Sequence, residues 1–126
     1  MGRKKILLVD DAKTVILMEQ MILNRPDLQL ITASDGDQAI EIALAEQPDL
    51  ILLDVVMPTL TGIEVCQRLR SEPSTKATPI IMVTTRGEEQ YIDAARAAGC
   101  TDYVTKPLDA ALLLHKVRSL LSLKDA

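Results

Sequence analysis

Aromatic side chains are nearly absent: the 126-residue chain has no Trp, no Phe and two Tyr, Tyr91 and Tyr103. Its core must be aliphatic, and the stacking platforms that bind single-stranded nucleic acid are missing. Basic charge is also short. The 14 Lys and Arg face 18 Asp and Glu, for a formal net charge of -4. That balance argues against binding to a phosphate backbone, so no direct contact with nucleic acid is expected. No apolar run approaches membrane-spanning length, and no membrane insertion is expected. Met1-Gly2-Arg3-Lys4-Lys5 has the positive character of a secretory leader, but the apolar run Ile6-Leu7-Leu8-Val9 stops at two aspartates and is too short for one. Cys66 and Cys100 have neither metal-type nor redox-type spacing and read as small hydrophobes in a reducing compartment, so the cytoplasm is the expected location. His115, the single histidine, reads as a solvated helix residue, and no Gly-rich phosphate loop for ATP is present.

What is present is ordinary globular material. With 48% hydrophobic and 25% charged residues, the chain falls outside the disordered and low-complexity classes, and residues 1–126 are expected to form one domain. Five short apolar runs read as strands, at residues 5–9, 28–33, 50–53, 80–83 and 103–105. Between them lie segments with helical spacing. The first carries Val15, Met18, Met21 and Ile22 before Pro26. The second spans residues 37–46 with Ala39, Ile40, Ala43 and Leu44 on one face; the third carries Ile63, Cys66 and Leu69. A weak, alanine-rich fourth covers residues 88–98 with Tyr91, Ile92 and Ala95, and Gly99 stands where a left-handed cap is wanted. The fifth, residues 108–123, repeats Leu112, Leu113, Val117, Leu120 and Leu121. Strands alternating with helices predict an α/β fold with a parallel sheet covered on both faces. The unalternating runs Ile51-Leu52-Leu53 and Ile80-Ile81-Met82-Val83 fit its central strands.

In such a sheet, ligands bind beyond the carboxyl ends of the strands. The first predicted strand is followed by Asp10 and Asp11, the third by Asp54, the fourth by Thr84 and Thr85, and the fifth by Lys106 and Pro107. Taken singly, each is readily a helix cap or a turn former. Parallel strands bring all four ends to one edge, and capping does not explain the set. Three carboxylates in one place repel unless a cation joins them, and a few hard oxygen ligands suit Mg2+ completed by phosphate oxygens. Lys106 and the Thr84 hydroxyl add donors for a phosphoryl group, leaving one carboxylate free to act as nucleophile.

Four separated segments then agree in order with a known family: Ile6-Leu7-Leu8-Val9-Asp10-Asp11, Leu53-Asp54-Val55-Val56-Met57-Pro58 with Gly62, Val83-Thr84-Thr85, and Tyr103-Val104-Thr105-Lys106-Pro107. The chain resembles the receiver domains of two-component response regulators, including the stand-alone chemotaxis-type regulators, over essentially its whole length. The resemblance implies a (βα)5 doubly wound, flavodoxin-like fold with strand order 2-1-3-4-5. It implies that Asp54 accepts a phosphoryl group from a histidine kinase or phosphotransfer protein. Asp11 would bind Mg2+ directly, Asp10 largely through water, and the Val56 carbonyl would complete the protein's share. Thr84 and Lys106 would contact the phosphoryl group, the Lys106-Pro107 bond would be cis, and Tyr103 would rotate as a switch. The fourth helix, fifth strand and fifth helix would then present a changed face to a downstream protein, in a monomer or a phosphorylation-linked dimer. Two positions differ from the best-known chemotaxis members, Val56 and Arg86, which the resemblance ties to phosphorylated lifetime.

Competing classes fit less well. An aspartyl-phosphate phosphatase places two aspartates two residues apart after its first strand, whereas Asp10 and Asp11 are adjacent and the candidate nucleophile follows the third. A flavin carrier needs a Ser/Thr/Gly-rich phosphate loop where this chain has Asp10-Asp11-Ala12-Lys13. The remaining alternative is a phosphorylation-independent pseudo-receiver acting only as an interaction module. That class usually lacks one of the site residues, and none is lacking here.

Overall fold

The structure, a computed structural model, describes residues 3–85 and 90–123. Five βα units follow one another: β1 (Lys4–Val9), α1 (Lys13–Ile22), β2 (Leu28–Ala33), α2 (Gly36–Glu46), β3 (Leu50–Asp54), α3 (Gly62–Arg70), β4 (Ile80–Thr84), α4 (Tyr91–Ala97), β5 (Asp102–Thr105) and α5 (Ala110–Leu121). All strand pairs are parallel and the sheet order is β2-β1-β3-β4-β5. This is the flavodoxin-like order that the resemblance implied.

The central strands are apolar without alternation because both of their faces are covered. Leu7, Val9, Ile51, Leu53, Ile80 and Met82 point to one side, where Ala39, Ala43, Val65, Cys66, Leu69 and Ala95 of α2, α3 and α4 meet them. Ile6, Leu8, Leu50, Leu52, Ile81 and Val83 point to the other, against Leu113, Val117 and Leu121 of α5 and Leu23 at the end of α1. The period-2 geometry of a strand thus divides one apolar run between two cores.

Helix starts are fixed by local chemistry. The Asp35 side chain accepts from the backbone N–H of Gln38 at 2.8 Å, and that of Asp109 from Leu112 at 3.0 Å. Thr61 and Glu64 form a reciprocal capping box at the start of α3. Gly62 opens α3 where the chain doubles back: its N–H donates to the Val55 carbonyl at 2.7 Å, and a Cβ there would collide with the Asp54 carbonyl oxygen. Gly99, at φ +103°, ends the α4 segment in the left-handed region.

Three expectations are corrected. Of the expected α1 set Val15, Met18, Met21 and Ile22, Met18 is 44% and Met21 78% exposed, whereas Ile22 packs on the core with Ile16 and Leu23, and Glu19 is buried on the same helix. Leu44 of α2 and Leu112 of α5 also lie outward, because each helix turns its neighbours Ala43 and Leu113 into the core. Finally, the described part of the fourth helix is shorter than residues 88–98, and the expected start at Glu88, like Arg86, lies outside the described residues.

Candidate functional site

Register decides which side chains meet. Val9 pairs with Leu53, Asp54 with Val83, and Thr84 with Thr105, so the first, third, fourth and fifth strands end almost in step. The chain leaves each at the same edge. Asp10 follows β1 and is buried, Asp54 closes β3 and is buried, and Thr84 closes β4 with no exposed surface. Lys106 follows β5, its backbone N–H donating to the Thr84 carbonyl at 2.6 Å, and the Lys106-Pro107 peptide bond is cis. Asp11 is exposed at the mouth, and Val56, 50% exposed, sits just beyond Asp54.

The side chains converge. One carboxylate oxygen from each of Asp10, Asp11 and Asp54 lies within 4.8 Å of the others. The Lys106 ammonium reaches into the same space, 3.2 Å from Asp10 Oδ2 and 3.4 Å from Asp54 Oδ1. The contact with Asp10 Oδ2 is an ion pair without hydrogen-bond geometry, leaving that oxygen without a donor. Asp10 Oδ1 accepts from the Ala12 N–H at 2.9 Å, which holds the carboxylate across the start of α1. Thr84 Oγ1 is buried and has no hydrogen-bond partner.

Charge is therefore in excess. Burial, with repulsion from Asp10 and the weaker field of Asp11 added to it, pushes Asp54 up to about 6 against the opposing pull of Lys106. For Lys106, burial alone would favour the neutral amine, but Asp54 and Asp10 hold its ammonium above the ordinary lysine range. One lysine among three carboxylates leaves the site short of positive charge. An all-oxygen donor set with a buried, charge-strained carboxylate fits a hard divalent cation such as Mg2+.

A residue that sequence reasoning passed over belongs to this environment. Glu19, on the inner stripe of α1, is 1% exposed, and its Oε1 has no hydrogen-bond partner. Burial first, then the fields of Asp10 and Asp54, push it up to about 8 against the pull of Lys106. The signal was a carboxylate at the third position between Ile16 and Leu23, obscured by Leu17, Met18 and Met21 on the outer face.

On the flank, Tyr103 of β5 is half-buried against the core, with the Arg96 guanidinium of α4 5.5 Å from its ring centroid. Lys116 of α5 pairs with Asp102 of β5 at 2.7 Å. His115 is exposed on α5.

A sheet edge crowded with carboxylates belongs to an α/β protein that handles a charged ligand, since nothing in the core requires it. The family is that of the response regulator receiver domain, whose model matches residues 6–118, and the chain belongs to it. It is a signalling domain of two-component systems. The chain is 42% identical over 118 residues to the alkaline phosphatase synthesis transcriptional regulatory protein PhoP of Bacillus subtilis, covering 94% of this chain and 48% of that protein. It thus spans about half the length of the curated relatives at the head of the comparison. Protein PilH of Pseudomonas aeruginosa is 34% identical over 118 residues, with 94% of this chain and 98% of that protein covered. Among solved structures, the receiver domain of a sensor histidine kinase from Pseudomonas aeruginosa has a TM-score of 0.87 at 26% identity, over 96% of this chain and 99% of that one. That structure carries a magnesium ion coordinated in its active-site cleft. Among the described residues no helix is long and apolar enough to cross a membrane.

Proposed function

We propose that this chain is a phosphorylation switch in which Asp54 accepts a phosphoryl group from the phosphohistidine of a histidine kinase or phosphotransfer protein. The observation that carries the reading is the surroundings of Asp54: two further carboxylates, a lysine ammonium 3.4 Å away, and a buried hydroxyl with no partner. In the transfer, an O–P bond forms at Asp54 as the N–P bond of the donor breaks. Asp10, Asp11, Asp54 and the Val56 carbonyl would hold Mg2+, which when bound neutralises charge on the transferring phosphoryl oxygens. Lys106 turns its ammonium from Asp54 to a phosphoryl oxygen, and Thr84 Oγ1 donates to another.

Readout follows from packing. When Thr84 moves toward the phosphoryl group it leaves space beside β5, and Tyr103 turns inward, parting from Arg96. The face built by α4, β5 and α5 changes shape and charge, and a downstream protein binds it. The pseudo-receiver alternative is not favoured, since every residue the chemistry needs is present at the edge. Incubation with a small phosphodonor and Mg2+, followed by intact-mass measurement, tests the reading. Wild type should gain one phosphate and Asp54→Ala none. A single adduct persisting on Asp54→Ala, or no adduct on wild type, would overturn it.

A further inference from the structure

We infer that Glu19 is a fourth, buried carboxyl within the field of the acidic site, and that it gives up a proton when a divalent cation binds there. The inference rests on the proposed reading for the identity of that cation. Its own basis is geometric. Glu19 lies eight residues beyond Asp11, on a different element, and among the described residues its side chain makes no hydrogen bond or ion pair. An unpaired, fully enclosed carboxylate is among the most costly groups to bury, so the side chain must be neutral or must have a positive charge within reach.

The charged groups acting on it are Asp10 from the end of β1, Asp54 from the end of β3 and Lys106 from the loop after β5. The core cluster on this side of the sheet is apolar. Ile16 and Leu23, on either side of Glu19 in sequence, belong to it with Leu113, Val117 and Leu121 of α5. Burial first, and then the excess negative charge of a site with three carboxylates and one ammonium, holds Glu19 protonated. That agrees with its displacement to about 8. A divalent cation cancels the excess, and in a medium of low dielectric the change is felt by a group that does not touch the ion. That part of the displacement is relieved while the cost of burial remains, so near its midpoint Glu19 releases a fraction of its proton to solvent. By linkage, cation affinity must rise with pH through the range in which Glu19 titrates.

Calorimetric titration with MgCl2 at pH 7.5, in two buffers of different ionisation enthalpy, counts the protons released per ion bound. At that pH Asp54 is already ionised and contributes little. Wild type should release on the order of half a proton per ion, and Glu19→Gln, which keeps the shape and cannot ionise, should release close to none. Equal release from the two proteins overturns the inference and leaves the assignment of Asp54 standing; absence of Mg2+ binding by wild type overturns both. A second measurement needs no variant. The carbon resonance of the Glu19 carboxyl should titrate well above the ordinary glutamate range without Mg2+ and at least one pH unit lower with it. An unmoved midpoint would equally overturn the inference.

Discussion

At the scale of the residue, Asp54 illustrates a conflict between stability and chemistry. Its carboxylate is buried, repelled by Asp10 and only partly compensated by Lys106, so it titrates near 6 instead of near 3.8. Between those values the folded state holds a proton that the unfolded chain has already lost, and the charge is imposed on the fold once the pH passes 6. Asp54→Asn removes that charge and keeps an oxygen for Lys106. Without divalent cations at pH 8 the variant should be more stable than wild type by about 1 to 2 kcal/mol, and the gain should vanish at pH 4. Urea unfolding of both proteins in chelator at the two pH values checks this; equal midpoints at pH 8 would mean that Asp54 is not strained.

At the scale of the element, the strands and the helix phases were unequally legible. Short, β-branched runs such as Ile80-Ile81-Met82-Val83, closed off within a few residues, favour a strand buried on both faces, and once the strands were parallel their polar ends had to converge. Helix α1 was harder, because Leu17, Met18 and Met21 make its outer face as apolar as its inner one. Periodicity finds a stripe only where the opposite side is polar. Glu19 was passed over for the same reason: with both faces of α1 apolar, nothing in the pattern marked this carboxylate as inward. In α3 the decisive feature is close approach, not pattern. A Cβ at Gly62 would meet the carbonyl of Asp54 and come within 2.9 Å of the Val55 Cα, both backbone atoms that cannot yield without moving the end of β3. Gly62→Ala should therefore cost about 2 kcal/mol in denaturant unfolding and weaken Mg2+ binding in the same protein. An equally large effect on stability with unaltered Mg2+ affinity would show that the strain is absorbed on the α3 side.

At the scale of the whole molecule, two buried acids set how stability depends on pH. Glu19 is displaced from 4.5 to about 8 and Asp54 from 3.8 to about 6. Both displacements are upward, so the folded state binds these protons more tightly than the unfolded chain does. Their favourable contribution is complete below about pH 4 and is lost as the pH rises through each folded value, first for Asp54 and then for Glu19. Asp102 opposes them at the acid end. Burial works against its ionised form, but its hydrogen bond with Lys116 prevails and lowers its pKa, so its contribution disappears as the pH falls. The cation-free protein should accordingly be most stable in mildly acidic solution and lose on the order of 2 to 4 kcal/mol between pH 5 and pH 8. Glu19→Met should remove the decline between pH 6 and 8, where Glu19 alone titrates, and reduce it to the share of Asp54 between pH 5 and 6. Saturating Mg2+ should flatten both, since the ion stabilises the ionised carboxylates. Urea midpoints at unit pH intervals, with chelator and with Mg2+, separate these cases. A cation-free wild type that gains stability steadily up to pH 8 would place both acids in ordinary solvent and remove the electrostatic strain invoked for the proposed switch.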